Sequence, residues 1–136
     1  MAKTRILVVD DEEGILKVCA GTLRKLPEME IILESQSRRA IERVSSESLD
    51  LLVTDIRMPE VDGLELLQIA RRHDPSLMVL MLTAFPTVET AVESMRRGAA
   101  DYLITQKRHL VCHLPLSFEG KRCIFDKWLP GSSNLA

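Results

Sequence analysis

Residues 49–63, with the sequence Leu-Asp-Leu-Leu-Val-Thr-Asp-Ile-Arg-Met-Pro-Glu-Val-Asp-Gly, decide the fold of this chain. The short apolar run at 51–53 is typical of a strand that is buried on both faces. It ends at the carboxylate of Asp55, and a loop with Pro59 leads to a helical pattern that begins at Gly63. Open parallel sheets bind ligands beyond the carboxyl ends of their strands, so Asp55 lies where such a fold does its chemistry. A single aspartate more often closes a strand or caps a turn, so this interpretation depends on the rest of the chain.

The composition is that of one ordinary globular domain. The chain has 136 residues, 46% of them hydrophobic and 28% charged, with a formal net charge of −2. This charge gives no basic surface for nucleic acid or an anionic membrane, and no apolar run approaches the roughly 20 residues of a membrane helix. Residues 1–5 lead directly into a strand, so we expect no signal peptide. Three cysteines, an odd number, favour a reducing cytoplasm over a disulfide scaffold.

Apolar runs typical of buried strands alternate with helical patterns along residues 6–104. Besides the central strand, the pattern predicts strands at 6–9, 31–33, 77–82 and 102–104. Helical stripes follow the first four strands, the first of them from Ile15 to Leu26, and we expect Ser37 and Thr87 to cap the second and fourth helices. This alternation with short connections indicates βαβ units and an α/β fold. A flavodoxin-like, doubly wound, five-stranded parallel sheet in the order 2-1-3-4-5 fits the element count.

In that order strands one and three are neighbours, so three carboxylates meet at one edge of the sheet: Asp10, Asp11 and Asp55. Thr83 ends strand four, so we expect it to lie beside them. Crowded carboxylates resist ionising together unless a cation joins them. Oxygen ligands suit Mg²⁺, and a carboxylate beside bound Mg²⁺ can act as the nucleophile on a phosphoryl group. Helix capping is the simpler interpretation of Asp10 and Asp11, but it does not explain why Asp55 and Thr83 end the neighbouring strands.

Four motifs in order make residues 4 to about 105 resemble the receiver domain of two-component response regulators. They are Ile6-Leu7-Val8-Val9-Asp10-Asp11, then Asp55-Ile56-Arg57-Met58-Pro59 with Asp62-Gly63, then Thr83-Ala84, then Gly98-Ala99 with Asp101-Tyr102-Leu103. Residues 83–92, Thr-Ala-Phe-Pro-Thr-Val-Glu-Thr-Ala-Val, further resemble receivers that precede enhancer-binding transcription activators of the nitrogen-regulation type.

This resemblance implies that Asp55 accepts a phosphoryl group from a sensor histidine kinase in the cytoplasm. The implied ligands of Mg²⁺ are Asp11, Asp55 and the backbone carbonyl of Arg57, with Asp10 helping through water. Thr83 and Tyr102 would form the switch pair. Any enzymatic activity would be a slow turnover of the domain's own acyl phosphate. No output domain is recognisable in the chain, so the regulated process is not indicated.

The family pattern breaks after the fifth strand, where receivers carry Lys-Pro and this chain has Thr105 and Gln106. The missing lysine would pair with the phosphoryl group. Lys107 lies two residues further on, about 6.6 Å along an extended chain, so it reaches back only if the loop bends. The family's last helix is also missing. The sequence therefore predicts a receiver domain at 1–106 and an atypical tail at 107–136 that is not an independent domain.

Two origins of the tail stay open. One is a reading-frame change or an artificial sequence at the end of a truncated receiver, and the other is a natural, divergent tail. A hairpin around Glu119 and Gly120 is one prediction for it. A zinc site is a weaker prediction, because the spacing of its four candidate ligands matches no zinc pattern; they are His109, Cys112, His113 and Cys123. The missing helix would leave strands one and five bare, so we expect the tail to cover them within its own chain or exchanged in a homodimer.

Two functions from different classes remain. The first is a phosphorylatable switch domain, which is favoured by the intact Asp10, Asp11, Asp55 and Thr83. The second is a pseudo-receiver, a protein-interaction module that works without phosphate, which the missing lysine favours. A metal-dependent phosphatase with an aspartyl nucleophile is a weaker third hypothesis, because the sequence offers no substrate cap and no second catalytic acid.

Overall fold

Strands and helices alternate along the chain, as the sequence pattern predicts. A computed structural model describes residues 4–23, 28–106 and 109–111, and at positions 22, 105, 106 and 109–111 it describes the backbone alone. The elements are β1 (Thr4–Val9), α1 (Glu13–Leu23), β2 (Met29–Glu34), α2 (Ser37–Ser46), β3 (Leu51–Thr54), α3 (Gly63–His73), β4 (Met78–Thr83), α4 (Val88–Arg96), β5 (Asp101–Gln106) and β6 (His109–Val111). No helix among these residues has both the length and the apolarity needed to cross a bilayer.

The strands form one sheet in the order β2-β1-β3-β4-β5-β6. The first five strands are parallel, which confirms the flavodoxin-like order 2-1-3-4-5. The added strand β6 pairs antiparallel with β5, with Gln106 opposite His109, and the sequence pattern did not predict it. Several predictions fall outside the described residues: the end of the first helix at 24–27, the position of Lys107, and the hairpin and most of the zinc ligands beyond residue 111.

Two apolar clusters cover the two faces of the sheet, and alternate residues of each strand belong to different clusters. In β1, Ile6 and Val8 belong to the cluster that contains the buried side of α1, whereas Leu7 and Val9 belong to the cluster formed with α2 and α3. Cys19 of α1 is fully buried in the first cluster, as expected for a small core residue. Strands buried on both faces explain the uninterrupted apolar runs in the sequence.

Of the two predicted helix caps, the one at the start of α4 is confirmed and the one at the start of α2 is wrong. Thr87 caps α4 by accepting the backbone N–H of Thr90 at 3.0 Å. The prediction that Ser37 caps α2 is wrong, because Gln36 is the N-cap and makes no side-chain cap bond. The Ser37 hydroxyl instead donates to the carbonyl oxygen of Pro59 at 2.7 Å. The serine is buried against the loop after β3, so a tertiary partner replaces the local one.

A chain of ion pairs ties β2 to α2. Glu34, at the end of β2, is only 5% exposed and accepts a hydrogen bond from Nε of Arg43 at 2.9 Å. Nη1 of Arg43 lies 3.1 Å from one carboxylate oxygen of Glu47, and Nη2 of Arg5 lies 3.0 Å from the other. A buried carboxylate destabilises a fold unless it is paired, so Arg43 is the central residue of this network.

Replacing Arg43 by methionine leaves Glu34 buried without its cation. We expect the free energy of unfolding, measured with urea, to fall by about 1–3 kcal/mol for R43M. The matched control is R38M, because Arg38 pairs with Glu60 where both side chains are more than half exposed, and its cost should stay within about 0.5 kcal/mol. Equal losses in the two variants would contradict a special role for the buried pair.

Candidate functional site

The ends of β1 and β3 bring three aspartates together at the carboxyl edge of the sheet. The strand register pairs Val9 with Thr54, so the residues that follow them, Asp10 and Asp55, lie side by side. The backbone N–H of Asp55 donates to the carbonyl oxygen of Val9 at 3.0 Å. Carboxylate oxygens of Asp10, Asp11 and Asp55 lie within 4.8 Å of one another. The structure thus places together the three carboxylates that the strand order predicts to meet.

A cavity of about 370 Å³ opens at this edge. Its lining residues are Asp10, Asp11, Glu12, Ile15, Asp55, Arg57, Ala84 and Phe85. Asp10 is only 4% exposed, whereas Asp55 is half-buried and Asp11 is exposed. The cavity therefore combines buried and exposed acidic groups, and it is large enough for a small, strongly hydrated ligand.

Local backbone amides orient the two more buried carboxylates. The N–H of Glu12 donates to Oδ1 of Asp10 at 2.8 Å, and the N–H of Ile56 donates to Oδ1 of Asp55 at 2.8 Å. Both bonds form because the chain turns directly after each strand, which brings the next amides back toward the aspartate side chain. Each amide places a partial positive charge on a carboxylate oxygen and so offsets part of the repulsion within the cluster.

Gly63 allows the loop after β3 to close against Asp55. Its N–H donates to the carbonyl oxygen of Ile56 at 2.7 Å, and a Cβ at position 63 would overlap the carbonyl oxygen of Asp55. Any other residue would push the start of α3 away from the aspartate, so glycine is required by close backbone approach. The bond from Ser37 to Pro59 holds the same loop from the side of α2.

Burial and mutual repulsion raise the pKa of two carboxyl groups. The pKa of Asp10 is raised to about 7, mainly by burial, with repulsion from Asp55 and Asp11 adding to the shift. The pKa of Asp55 is raised to about 6, again mainly by burial, with repulsion from Asp11 adding to it. Within the described parts of the chain, no lysine or arginine forms an ion pair with these three aspartates. The cluster therefore carries excess negative charge that a bound cation would relieve.

The donor set fits a hard divalent cation. All three aspartates offer carboxylate oxygens, and among the residues that the structure describes no histidine or cysteine lines the cavity. Zinc prefers nitrogen and sulfur ligands, whereas Mg²⁺ is usually held by one or two carboxylates and keeps several waters. The cavity leaves room for such waters and for a phosphate oxygen, so the residues fit Mg²⁺ better than zinc.

Of two other predicted site residues, Arg57 lies at the cavity and Thr83 does not. Arg57 lines it. Thr83 ends β4 but is only 2% exposed and does not line the cavity, and its Oγ1 accepts the N–H of Phe85 at 3.1 Å. Ala84 and Phe85 occupy the lining instead. The sequence analysis did not identify these two residues as part of the cavity lining. Their position directly after the end of a parallel strand, where such sheets bind ligands, could have indicated it.

Tyr102 is bound to the start of α4 and does not line the cavity. Its hydroxyl lies 2.7 Å from Oγ1 of Thr90 and accepts the backbone N–H of Thr87 at 3.2 Å. The ring packs against the cluster formed with α2 and α3. The link to Thr90 was not predicted, although the Thr87-x-x-Thr90 spacing of a capping box would have singled out both threonines.

The raised pKa values predict a specific dependence of stability on pH in the absence of divalent metal. A carboxyl whose pKa is higher in the folded state binds protons more tightly there, so it stabilises the fold as the pH falls from 7.5 to 5 and destabilises it as the pH rises. Replacing Asp10 by asparagine removes the larger contribution. We expect the gain in free energy of unfolding between pH 7.5 and pH 5, measured in EDTA, to be about 1–3 kcal/mol larger in the parent than in D10N.

The matched control for this measurement is E89Q, which removes an exposed carboxylate of α4. It should leave the pH dependence of the parent unchanged. If D10N and the parent gain the same free energy of unfolding on acidification, the burial of Asp10 does not determine its protonation.

The chain is similar to known signalling proteins in both sequence and structure. It is 36% identical over 124 residues to the transcriptional regulatory protein ZraR of Escherichia coli K12, covering 91% of this chain and 26% of that protein. It is 39% identical over 103 residues to the regulatory protein AtoC of the same strain, covering 76% of this chain and 22% of that protein. The chain thus spans about a quarter of the length of these curated relatives.

A solved structure shows the same architecture. The CheY-like response regulator receiver domain protein of Methanospirillum hungatei JF-1 superposes with a TM-score of 0.72 at 28% identity, covering 79% of this chain and 86% of that one. Residues 6–110 match the family model described as the response regulator receiver domain. The family predicted from the four motifs is confirmed, and the chain belongs to the response regulator receiver domain family.

Proposed function

We propose that this chain is a phosphoacceptor receiver in which Asp55 takes a phosphoryl group from the phosphohistidine of a sensor histidine kinase. The observation that carries the proposal is the position of Asp55, half-buried at a cavity edge with the carboxylates of Asp10 and Asp11 within 4.8 Å. Receiver domains are phosphorylated by sensor histidine kinases, and family membership supplies this partner. Location in the cytoplasm is part of the same proposal.

The acidic cluster would hold Mg²⁺, which receiver domains generally bind at an acidic pocket. In the proposal its ligands are Asp11, Asp55 and the backbone carbonyl of Arg57, with Asp10 acting through water. When bound, the ion neutralises charge on the carboxylates and on the phosphoryl oxygens. The low exposure of Asp10 suits a role in which it orients a water molecule on the ion. Asp11 is exposed, so it can bind a hydrated ion directly from solvent.

Asp55 acts as the nucleophile in this proposal. A carboxylate oxygen of Asp55 attacks phosphorus, the nitrogen–phosphorus bond of phosphohistidine breaks, and its electron pair returns to the imidazole ring. A pKa of about 6 leaves Asp55 largely ionised near pH 7.5, as a nucleophile requires. The amide of Ile56 holds the carboxylate in a fixed orientation before the reaction. Water then cleaves the acyl phosphate slowly and returns Asp55 to its resting state.

Thr83 and Tyr102 form the switch in this proposal. In the described state the Thr83 hydroxyl accepts the amide of Phe85, and Thr83 is buried and does not line the cavity. Its side chain must therefore turn toward the cavity before its O–H can donate to a phosphoryl oxygen. Tyr102 follows into the space that Thr83 leaves, and its bonds to Thr87 and Thr90 connect this movement to α4. Helix α4 has one buried residue, Ser94. A helix held by so few buried contacts can change position at low cost.

The alternative is a pseudo-receiver that keeps the fold and works without phosphate. The observation that favours it is Thr105, which stands where receivers carry lysine. Strand β5 continues through Thr105 to Gln106 and then pairs with β6, whereas Lys107 lies outside the described residues. The intact acidic cluster favours the phosphoacceptor over this alternative. An output domain, which the longer transcriptional relatives suggest, would lie outside this chain in either case.

Acetyl phosphate with Mg²⁺ tests the phosphoacceptor proposal. We expect the intact mass of the parent to increase by one phosphoryl group, and hydroxylamine should remove the group because it is an acyl phosphate. Peptide mapping should place it on Asp55, and D55N should gain nothing. The matched control is E13Q, which removes a carboxylate in the first turn of α1 that neither lines the cavity nor belongs to the three-aspartate cluster and should be phosphorylated like the parent.

The variant T105K separates the two candidate functions. If T105K is phosphorylated on Asp55 and the parent is not, the natural chain is a pseudo-receiver with an otherwise competent site. Stable modification of the parent at any residue other than Asp55 would contradict the assignment of the nucleophile.

A further inference from the structure

The loop between β3 and α3 contains a strained turn at residues 59–61. Its central residue, Glu60, has a φ of 71°, in the left-handed region that residues other than glycine rarely adopt. The backbone N–H of Val61 donates to the carbonyl oxygen of Pro59, two residues earlier, at 2.8 Å. A bond over two residues around a positive φ defines a γ-turn of the rarer, strained kind. Such a backbone persists only where the surrounding structure fixes it.

Ser37, at the start of α2, binds both ends of this turn with one hydroxyl group. Its O–H donates to the carbonyl oxygen of Pro59 at 2.7 Å, and its Oγ accepts the N–H of Val61 at 3.3 Å. Ser37 is only 4% exposed, so water competes poorly for these bonds. Among the hydrogen bonds of the described residues, these two are the ones that tie the backbone of the turn to another element. The serine therefore holds the turn in place from outside the loop.

The same loop carries the backbone of Arg57 to the cavity. Arg57 lines the cavity, whereas Ile56 and Met58, on either side of it, are buried in the apolar cluster formed with α2 and α3. The loop has little slack, because the carbonyl oxygen of Ile56 accepts the N–H of Gly63 at 2.7 Å. A change in the turn at 59–61 therefore shifts the backbone at Arg57, which is two residues from Pro59.

We propose that Ser37 is a positioning residue of the acidic site: it holds the γ-turn at 59–61 and thereby the carbonyl oxygen of Arg57 at the cavity. This role rests on the proposed function, in which that carbonyl and Asp55 are ligands of the cation. Glycine adopts a positive φ without steric cost. Replacing Glu60 by glycine therefore removes the strain that Ser37 opposes, so the effects of substitutions at positions 37 and 60 should not be additive.

The variant S37A tests this role in the full-length protein. Its matched control is S46A, which removes an exposed hydroxyl of α2 that binds the carbonyl oxygen of Glu42 in the same helix at 2.7 Å. With both variants folded by circular dichroism, S37A should increase the hydrogen-exchange rate of the Val61 amide in EDTA by roughly tenfold or more. S37A should also bind Mg²⁺ about tenfold more weakly by calorimetry, because a ligand has lost its support. S46A should match the parent in both measurements.

A second substitution separates the loss of positioning from a general loss of stability. The double variant S37A/E60G should bind Mg²⁺ within about twofold of the parent, because its turn no longer needs the serine. The control S37A/E60A should bind as weakly as S37A. It removes the same exposed ion pair between Glu60 and Arg38, but alanine keeps the steric cost of a positive φ.

Unchanged exchange of Val61 in S37A would overturn the proposed role of Ser37, and so would faster exchange with unchanged affinity for Mg²⁺. Equal affinities of S37A/E60G and S37A/E60A would overturn it as well, because the strain at Glu60 would then not matter. These outcomes are distinct from failure of the proposed function. That function fails if the parent itself is not modified on Asp55, whereas the exchange of Val61 is measured without metal or phosphate.

Discussion

The cost of burying carboxylates close together at one edge of the sheet, mainly through lost hydration and further through repulsion, is the constraint on which the rest of this structure depends. Asp10 is buried and Asp55 is half-buried, and each unit by which a pKa is raised corresponds to about 1.4 kcal/mol against the charged form. The fold opposes this cost with backbone amides on both carboxylates and with apolar clusters on both faces that fix the strand ends. A site with this excess of negative charge favours any ligand that brings positive charge.

The backbone around Asp55 shows how little freedom the site has. Its N–H is bound to the end of β1, its carbonyl oxygen lies against Gly63, and its side chain is bound to the next amide. Thr83 and Tyr102 are different, because their hydroxyl groups bind the loop after β4 and the start of α4. The molecule thus combines a tightly held Asp55 with a neighbouring element that is held by a few polar bonds, an arrangement that suits the proposed two-state switch.

The five parallel strands and the acidic cluster could be predicted because both follow from short-range patterns. Apolar runs locate the strands, and the strand order then brings the residues after β1 and β3 to the same edge. Other features depend on tertiary partners that no local pattern contains. Ser37 appeared to be a cap because its nearest partners in sequence are helix amides, yet it binds the loop at Pro59. Strand β6 has three residues, too few for a distinct pattern in the sequence, and its partner is the edge of β5.

Titration of Mg²⁺ by calorimetry at pH 7.5 tests the central claim most directly. The parent should bind one ion per chain, and D11N should bind it at least about tenfold more weakly, because a carboxylate ligand is lost from the cluster. The control E13Q removes a carboxylate in the first turn of α1 that lies outside the cluster and should bind like the parent. Equal affinity of D11N and the parent would contradict the view that a cation relieves the repulsion among these aspartates.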